Sequence, residues 1–153
     1  MVLAVLFYDV VKWFHIMAVV VAFGGLFTYP VWYRFVLAAS PADRVMFHRA
    51  QGFIGQWVIS PGLLVIVLAG AYMATDRDLW SKVWVTLPLI IAIGIGALGG
   101  VFFGPREAKL AELAEAGGGP EYERSFTQVR NVGYVALALV AIAAYMMVTK
   151  LGS

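Results

Sequence analysis

The sequence contains no cysteine, which excludes a disulfide framework and thiolate metal ligands and leaves the redox compartment unmarked. Charge is scarce as well. Asp, Glu, Lys and Arg make up 13% of the 153 residues against 62% hydrophobic residues, and the mean hydropathy is +0.85. A soluble domain carries roughly a quarter charged residues, so this composition predicts an integral membrane protein. Soluble-enzyme constellations are missing too: there is no Ser/His/Asp set, no H-E-x-x-H, no phosphate loop and no carboxylate pair within an apolar run. The net charge of +2 and pI near 9 suit connectors facing anionic lipid rather than a nucleic acid partner.

What is present is apolar sequence in four blocks. Residues 13–33, 50–75, 83–105 and 131–149 lack all four charged residue types. Each is close to the roughly 20 residues a helix needs to cross about 30 Å of hydrocarbon. Runs such as "LLVIVLAGAYM" do not alternate, which excludes the strands of a closed barrel. The expected fold is all-α: a single domain, 1–153, forming an antiparallel four-transmembrane-helix bundle with spans at about 8–33, 51–75, 82–104 and 130–150. The first block has no A-x-A-like cleavage site and is expected to be retained as a helix. "PREAKLAELAEA", opened by Pro105 and closed by Gly117 to Gly119 and Pro120, reads as a short amphipathic helix at the interface between helices three and four.

The connectors 34–49 and 106–130 hold seven basic residues, and the termini with residues 76–82 hold four. By the positive-inside rule both termini are expected outside. Stepping along the first helix from His15 by 3, 4, 3 and 4 gives Ala18, Ala22, Gly25 and Tyr29, a small-residue seam of the kind at which membrane helices pack. Gly96 and Gly100 make a similar case in helix three, where "GIGALG" matches a dinucleotide-binding glycine pattern but lies inside an apolar span.

An ionisable group inside a membrane segment is a candidate functional residue, so His15 is either a cofactor or metal ligand or a hydrogen-bonded helix anchor. His48, beside Arg49 in the first connector, reads as a surface histidine with no special role. About 20 Å of rise separates the two, so they cannot ligate one iron. At the end of the bundle near His15 gather Met17, Met73, Met146 and Met147. Thioether and imidazole suit Cu(I), and methionine is also a possible axial haem ligand, although methionine at a helix end is more often adaptable packing. Pro61 and Pro88 interrupt helices two and three, freeing carbonyls for Ser60, Thr86 or water to satisfy, and a kink there can open a cavity.

"KWFHIMAVVVAFGGLFTYP", "ISPGLLVIVLAGAYM", "LWSKVW" and "RNVGYVALALVAIAAYMMVTK" together resemble the four helices of the bacterial HemJ-type and CopD-type membrane proteins and groups bordering them. The resemblance implies residence in the bacterial inner membrane and haem b binding, with His15 as axial ligand and Lys82 serving a carboxylate of haem or substrate. The HemJ-type activity is protoporphyrinogen oxidation. The sequence departs from that pattern where "IGIGALGGVFFGP" has no histidine and where Asn131 is followed by Val132 rather than an acidic residue. Two other readings stand beside it. One is a copper-handling transporter using His15 and the outer methionines Met73, Met146 and Met147. The other is an accessory subunit or assembly factor packed into a homo-oligomer or larger membrane complex through its small-residue seams.

Overall fold

The computed structural model describes residues 2–151, with side chains from Leu6 onward. Four helices, Leu6–Ala38, Pro41–Asp76, Val83–Glu115 and Pro120–Thr149, are each long and apolar enough to cross a membrane. No strand occurs among the described residues. The protein is therefore an all-α four-helix bundle of multi-pass membrane type. Its exposed large side chains, such as Phe14, Val20, Trp57, Leu68, Ile90 and Ile142, suit contact with hydrocarbon.

At 30 to 36 residues the spans are longer than the apolar blocks. A rise of 1.5 Å per residue makes each about 45–55 Å long, well beyond the hydrocarbon thickness. Most of the extra length lies at one end, where the first and third connectors sit. That is the basic end; the other, holding the chain termini, is the terminal end. The segment expected as a separate interfacial helix is helical, Gly104–Glu115, but it continues the third span without a break. The cause is its apolar stripe: Leu110, Ala111 and Ala114 are buried, and they hold the segment upright against the neighbouring helices.

The two connectors at the basic end are tight. Ser40 caps the second span by accepting from the Asp43 N–H at 3.3 Å, and Arg44 caps the first by donating to the carbonyls of Leu37 and Ala39. Gly117, Gly118 and Gly119 all have positive φ, at 93°, 81° and 102°. The first two close the third span, Gly117 donating to the Ala114 carbonyl at 3.0 Å and Gly118 to the Leu113 carbonyl at 2.8 Å, before Pro120 starts the fourth.

The core has two parts. Midway along the bundle Ala22, Phe23, Leu63, Ile66, Ala92, Ile95, Ala136 and Val140 pack together. At the basic end Tyr33, Val36, Leu110, Ala114, Tyr122, Phe126 and Val129 form a second cluster rich in aromatic rings. The first-helix seam contributes to the former, where Ala22 is 1% exposed and faces Gly62 of the second span. A Cβ at Gly62 would lie 2.8 Å from that of Ala22, so the first and second spans depend on glycine there. Gly62→Val is expected to destabilise the bundle by about 1–3 kcal/mol through overpacking. Gly94→Ala, at a glycine with nothing within 4 Å, should change little. Thermal unfolding of both variants in detergent checks the difference; equal midpoints would remove the close-packing argument.

Candidate functional site

Three spans depart from α-helical hydrogen bonding, each just before a proline. Tyr29, preceding Pro30, gives its N–H to Leu26, three residues back. Ser60, preceding Pro61, and Gly104, preceding Pro105, reach five residues back, to Gly55 and Gly99. The single-turn 3-10 segment Gly25–Thr28 and the π-helical turns Gly55–Ile59 and Gly99–Phe103 result. Proline supplies no N–H, and a wider or tighter turn redistributes the bonds around it. The Ser60 hydroxyl also donates to the Gly55 carbonyl at 2.8 Å, the role expected for it from sequence. Thr86 bonds the Lys82 carbonyl at 3.3 Å, while buried Pro88 sits within a regular helix.

These irregular turns face a common space. A cavity of about 550 Å³ lies between the four spans, lined by Pro30, Gly55, Ser60, Gly99, Gly100 and Gly104 among others. Gly96 packs lightly on Leu63 and Gly100 has nothing within 4 Å, so in helix three the expected packing glycine at 100 opens space instead. A second crevice of about 430 Å³, between the first and second spans, shares Leu26, Tyr29, Gln51 and Ile59 with the first.

At the basic end of the main cavity stands a buried polar triad. His48 of the second span is 1% exposed, Glu107 of the third 8% and Tyr122 of the fourth 0%. The His48 Nδ1 to Glu107 Oε2 distance is 2.6 Å, and His48 Nε2 to the Tyr122 hydroxyl is 2.9 Å. Phe47, Phe126 and the Tyr122 ring surround the imidazole edge-on. The expectation that His48 is an unremarkable surface residue is corrected: the second span begins at Pro41, not near residue 50, so residue 48 lies inside the bundle. Glu107 was counted with connector charges, yet it sits on the same helical stripe as Leu110, Ala111 and Ala114.

Hydrogen-bond accounting assigns the protons. Tyr122 is wholly buried, and among the described residues its hydroxyl hydrogen has no acceptor other than His48 Nε2. The hydroxyl therefore donates to Nε2, leaving Nδ1–H to donate to the Glu107 carboxylate. Close by, the Gln51 Oε1 atom, which belongs to a cavity-lining residue, is buried with no hydrogen-bond partner. Tyr29, Tyr33 and Tyr134 line the same space.

The other candidate residues are at or toward the terminal end. His15 is half-buried, its ring 3.3 Å from where a Cβ at Gly70 would be, and its Nδ1 lies 3.0 Å from the Ile66 carbonyl. A carbonyl only accepts, so Nδ1 carries the proton and Nε2 keeps its lone pair. Met73 is one turn beyond Gly70 on the same span and half-buried, and Lys82 is the half-buried residue before the third span. Among the described residues no hydrogen bond joins His15 to either. Neither cavity is lined by His15, and no cluster of three or more His, Cys, Asp or Glu suited to a metal occurs among the described residues. The Trp84 indole N–H, two residues from Lys82, is buried and has no acceptor among the described residues. Lys150 lies over the same ring at 5.6 Å.

Comparison with protein-family models, curated proteins and solved structures finds no match to this chain.

Removing the imidazole leaves a buried carboxylate and a buried hydroxyl without partners, each costing about 1–3 kcal/mol. His48→Ala is therefore expected to lower stability by several kcal/mol, while His48→Ala combined with Glu107→Leu should recover part of the loss. Denaturation of the single and double variants in mixed micelles gives the coupling. Strict additivity would mean that the three side chains do not act as one network.

Proposed function

We propose that this chain is a multi-pass membrane protein that binds a small amphipathic molecule between its four helices, with His48, Glu107 and Tyr122 meeting the polar end. The observation that carries this reading is a buried, mutually hydrogen-bonded triad at one end of a 550 Å³ cavity. Ligand cavities of about 300–1,000 Å³ with apolar walls and a few convergent polar groups are the usual form of such sites. Structural need alone is a weak account of the triad, because burying three polar groups stabilises a bundle no better than apolar packing of the same volume.

The basic end of the bundle faces the cytoplasm in this reading, by the seven-to-four distribution of Lys and Arg. Tyr122, His48 and Glu107 form an unbroken path for a proton: the hydroxyl gives to Nε2 as Nδ1 gives to the carboxylate. The arrangement suits acid–base chemistry on, or proton exchange with, a ligand placed beside Glu107. Filling the cavity tests the reading. Gly100→Leu adds a side chain where nothing lies within 4 Å, so the bundle should fold while the cavity closes. Native mass spectrometry of protein purified in mild detergent is expected to show a bound small molecule in the wild type that Gly100→Leu lacks. Identical adducts on both proteins would overturn it.

A second reading is haem b held by His15, favoured by one observation: Nδ1–H donates to the Ile66 carbonyl, as a ligating histidine commonly does, leaving Nε2 available. The Trp84 N–H and the Lys82 ammonium, at the start of the third span, are groups of the kind that bind the carboxylates of a porphyrin. Bound there, haem would supply one-electron transfer. The absorption spectrum of protein purified from haem-supplemented cells decides it: a Soret band present in the wild type and lost in His15→Ala is expected, and a colourless wild type would sink this reading.

A further inference from the structure

Resting on the cavity reading, we infer that the ligand is an amphipathic cation, an amine or quaternary ammonium attached to an apolar chain. The argument begins with charge. Among the described residues the Glu107 carboxyl group has His48 as its one hydrogen-bond partner, and no lysine or arginine lies within 4.0 Å of it. None of the cations near the triad in sequence is paired with Glu107. Arg49 pairs with Glu115 at the exposed rim, Lys109 pairs with Glu121, and Arg106 bonds Gln128 and lies over Phe102. Arg44 is held by the Leu37 and Ala39 carbonyls, over the Tyr122 ring and near Glu123. Arg124 is exposed, and Arg130 is half-buried but outside the cavity lining. A buried carboxylate without a cationic partner is costly, and a ligand cation removes that cost.

Two further features point the same way. Gln51 Oε1 is an acceptor with no donor, buried on the wall that both cavities share. An ammonium N–H, or the polarised C–H groups of a quaternary ammonium, would satisfy it. The rings of Tyr29, Tyr33, Tyr134 and Phe103 line the same space, and aromatic faces are the surfaces that hold such cations. The remaining wall is mostly apolar, which suits an alkyl or aryl chain. The smaller crevice reaches Trp32, Phe35 and Met46, which are exposed on the outside of the bundle, so a molecule dissolved in the bilayer has a lateral way in.

The absence of cysteine makes the test direct. Gly100→Cys places a single thiol in the cavity, and its alkylation by N-ethylmaleimide in nanodiscs reports occupancy. Octyltrimethylammonium, octyl sulfate and octanol share a chain and differ in charge. The ammonium is expected to slow alkylation by about tenfold more than octanol at equal concentration, the factor of one charge-assisted contact. Adding Glu107→Gln, which still accepts from His48, should erase that advantage. Gln51→Leu should reduce it, and serves alone if Glu107→Gln does not fold. Equal protection by octanol would overturn the cation while leaving the cavity reading intact. Stronger protection by octyl sulfate would overturn it in favour of an anion. No protection by any probe would overturn both.

Discussion

Every backbone polar group in the hydrocarbon layer must find a partner inside the protein, and in this bundle that constraint meets a proline after an irregular turn in each of the first three spans. A single proline in an α-helix deletes one bond and pushes on the carbonyl four residues back. Here the residue before each proline redirects its own N–H, to the third carbonyl back at Tyr29 and to the fifth at Ser60 and Gly104. The turns that result are narrower or wider than α-helix. Because glycines sit at 55, 99, 100 and 104 on the inner faces, the altered turns are not refilled by side chains. The cavity is thus a consequence of backbone satisfaction in lipid, not of a missing core residue.

The second determinant is length. Spans cut to the apolar blocks would end near residues 33, 50, 105 and 131, and nothing would hold His48, Glu107 and Tyr122 together. Continuing each helix past the apolar block carries them into an end-cluster with Phe126, Leu110 and Tyr33. The tight turn at Ser40 and the three positive-φ glycines at 117–119 return the chain without slack. Gly133 completes the arrangement by leaving room for the Tyr33 hydroxyl, which would lie 2.8 Å from a Cβ there. Position, burial and partner identity of the triad all descend from that overlength.

The membrane class, the number of spans and the first-helix seam were legible in the sequence because they rest on composition and spacing, which lipid reads directly. The seam is carried by Ala18 and Ala22, the latter against Gly62, as the small-residue argument implies, but it stops there: Gly25, expected on it, is exposed with nothing within 4 Å. The triad was not legible because charge was used to mark where spans end. That rule works for residues facing water, such as Arg49 and Glu115, and fails where a charge lies on the buried stripe of a helix. The signal was there in register: Glu107 precedes Leu110, Ala111 and Ala114 at helical spacing, and Tyr122, Phe126 and Val129 repeat at 4 and 3. Pairing of the two stripes through His48 needs tertiary information, since the three residues are 59 and 74 positions apart.

The two histidines show why location along a span is a poor guide to role. His15 lies deep in an apolar run and by the cost of burial is the more conspicuous. Its one hydrogen bond goes to a carbonyl of the neighbouring helix, and the ring rests against Gly70, which is the geometry of a clamp between the first and second spans. A clamp needs one nitrogen and leaves the other without a partner among the described residues. His48 uses both nitrogens, linking a phenol to a carboxylate across three spans. Its two partners hold the ring in one orientation and leave the Glu107 carboxyl group at the cavity wall with no lysine or arginine beside it. In a medium that penalises buried polar groups, a carboxyl group held by an imidazole alone is the costliest feature of that wall.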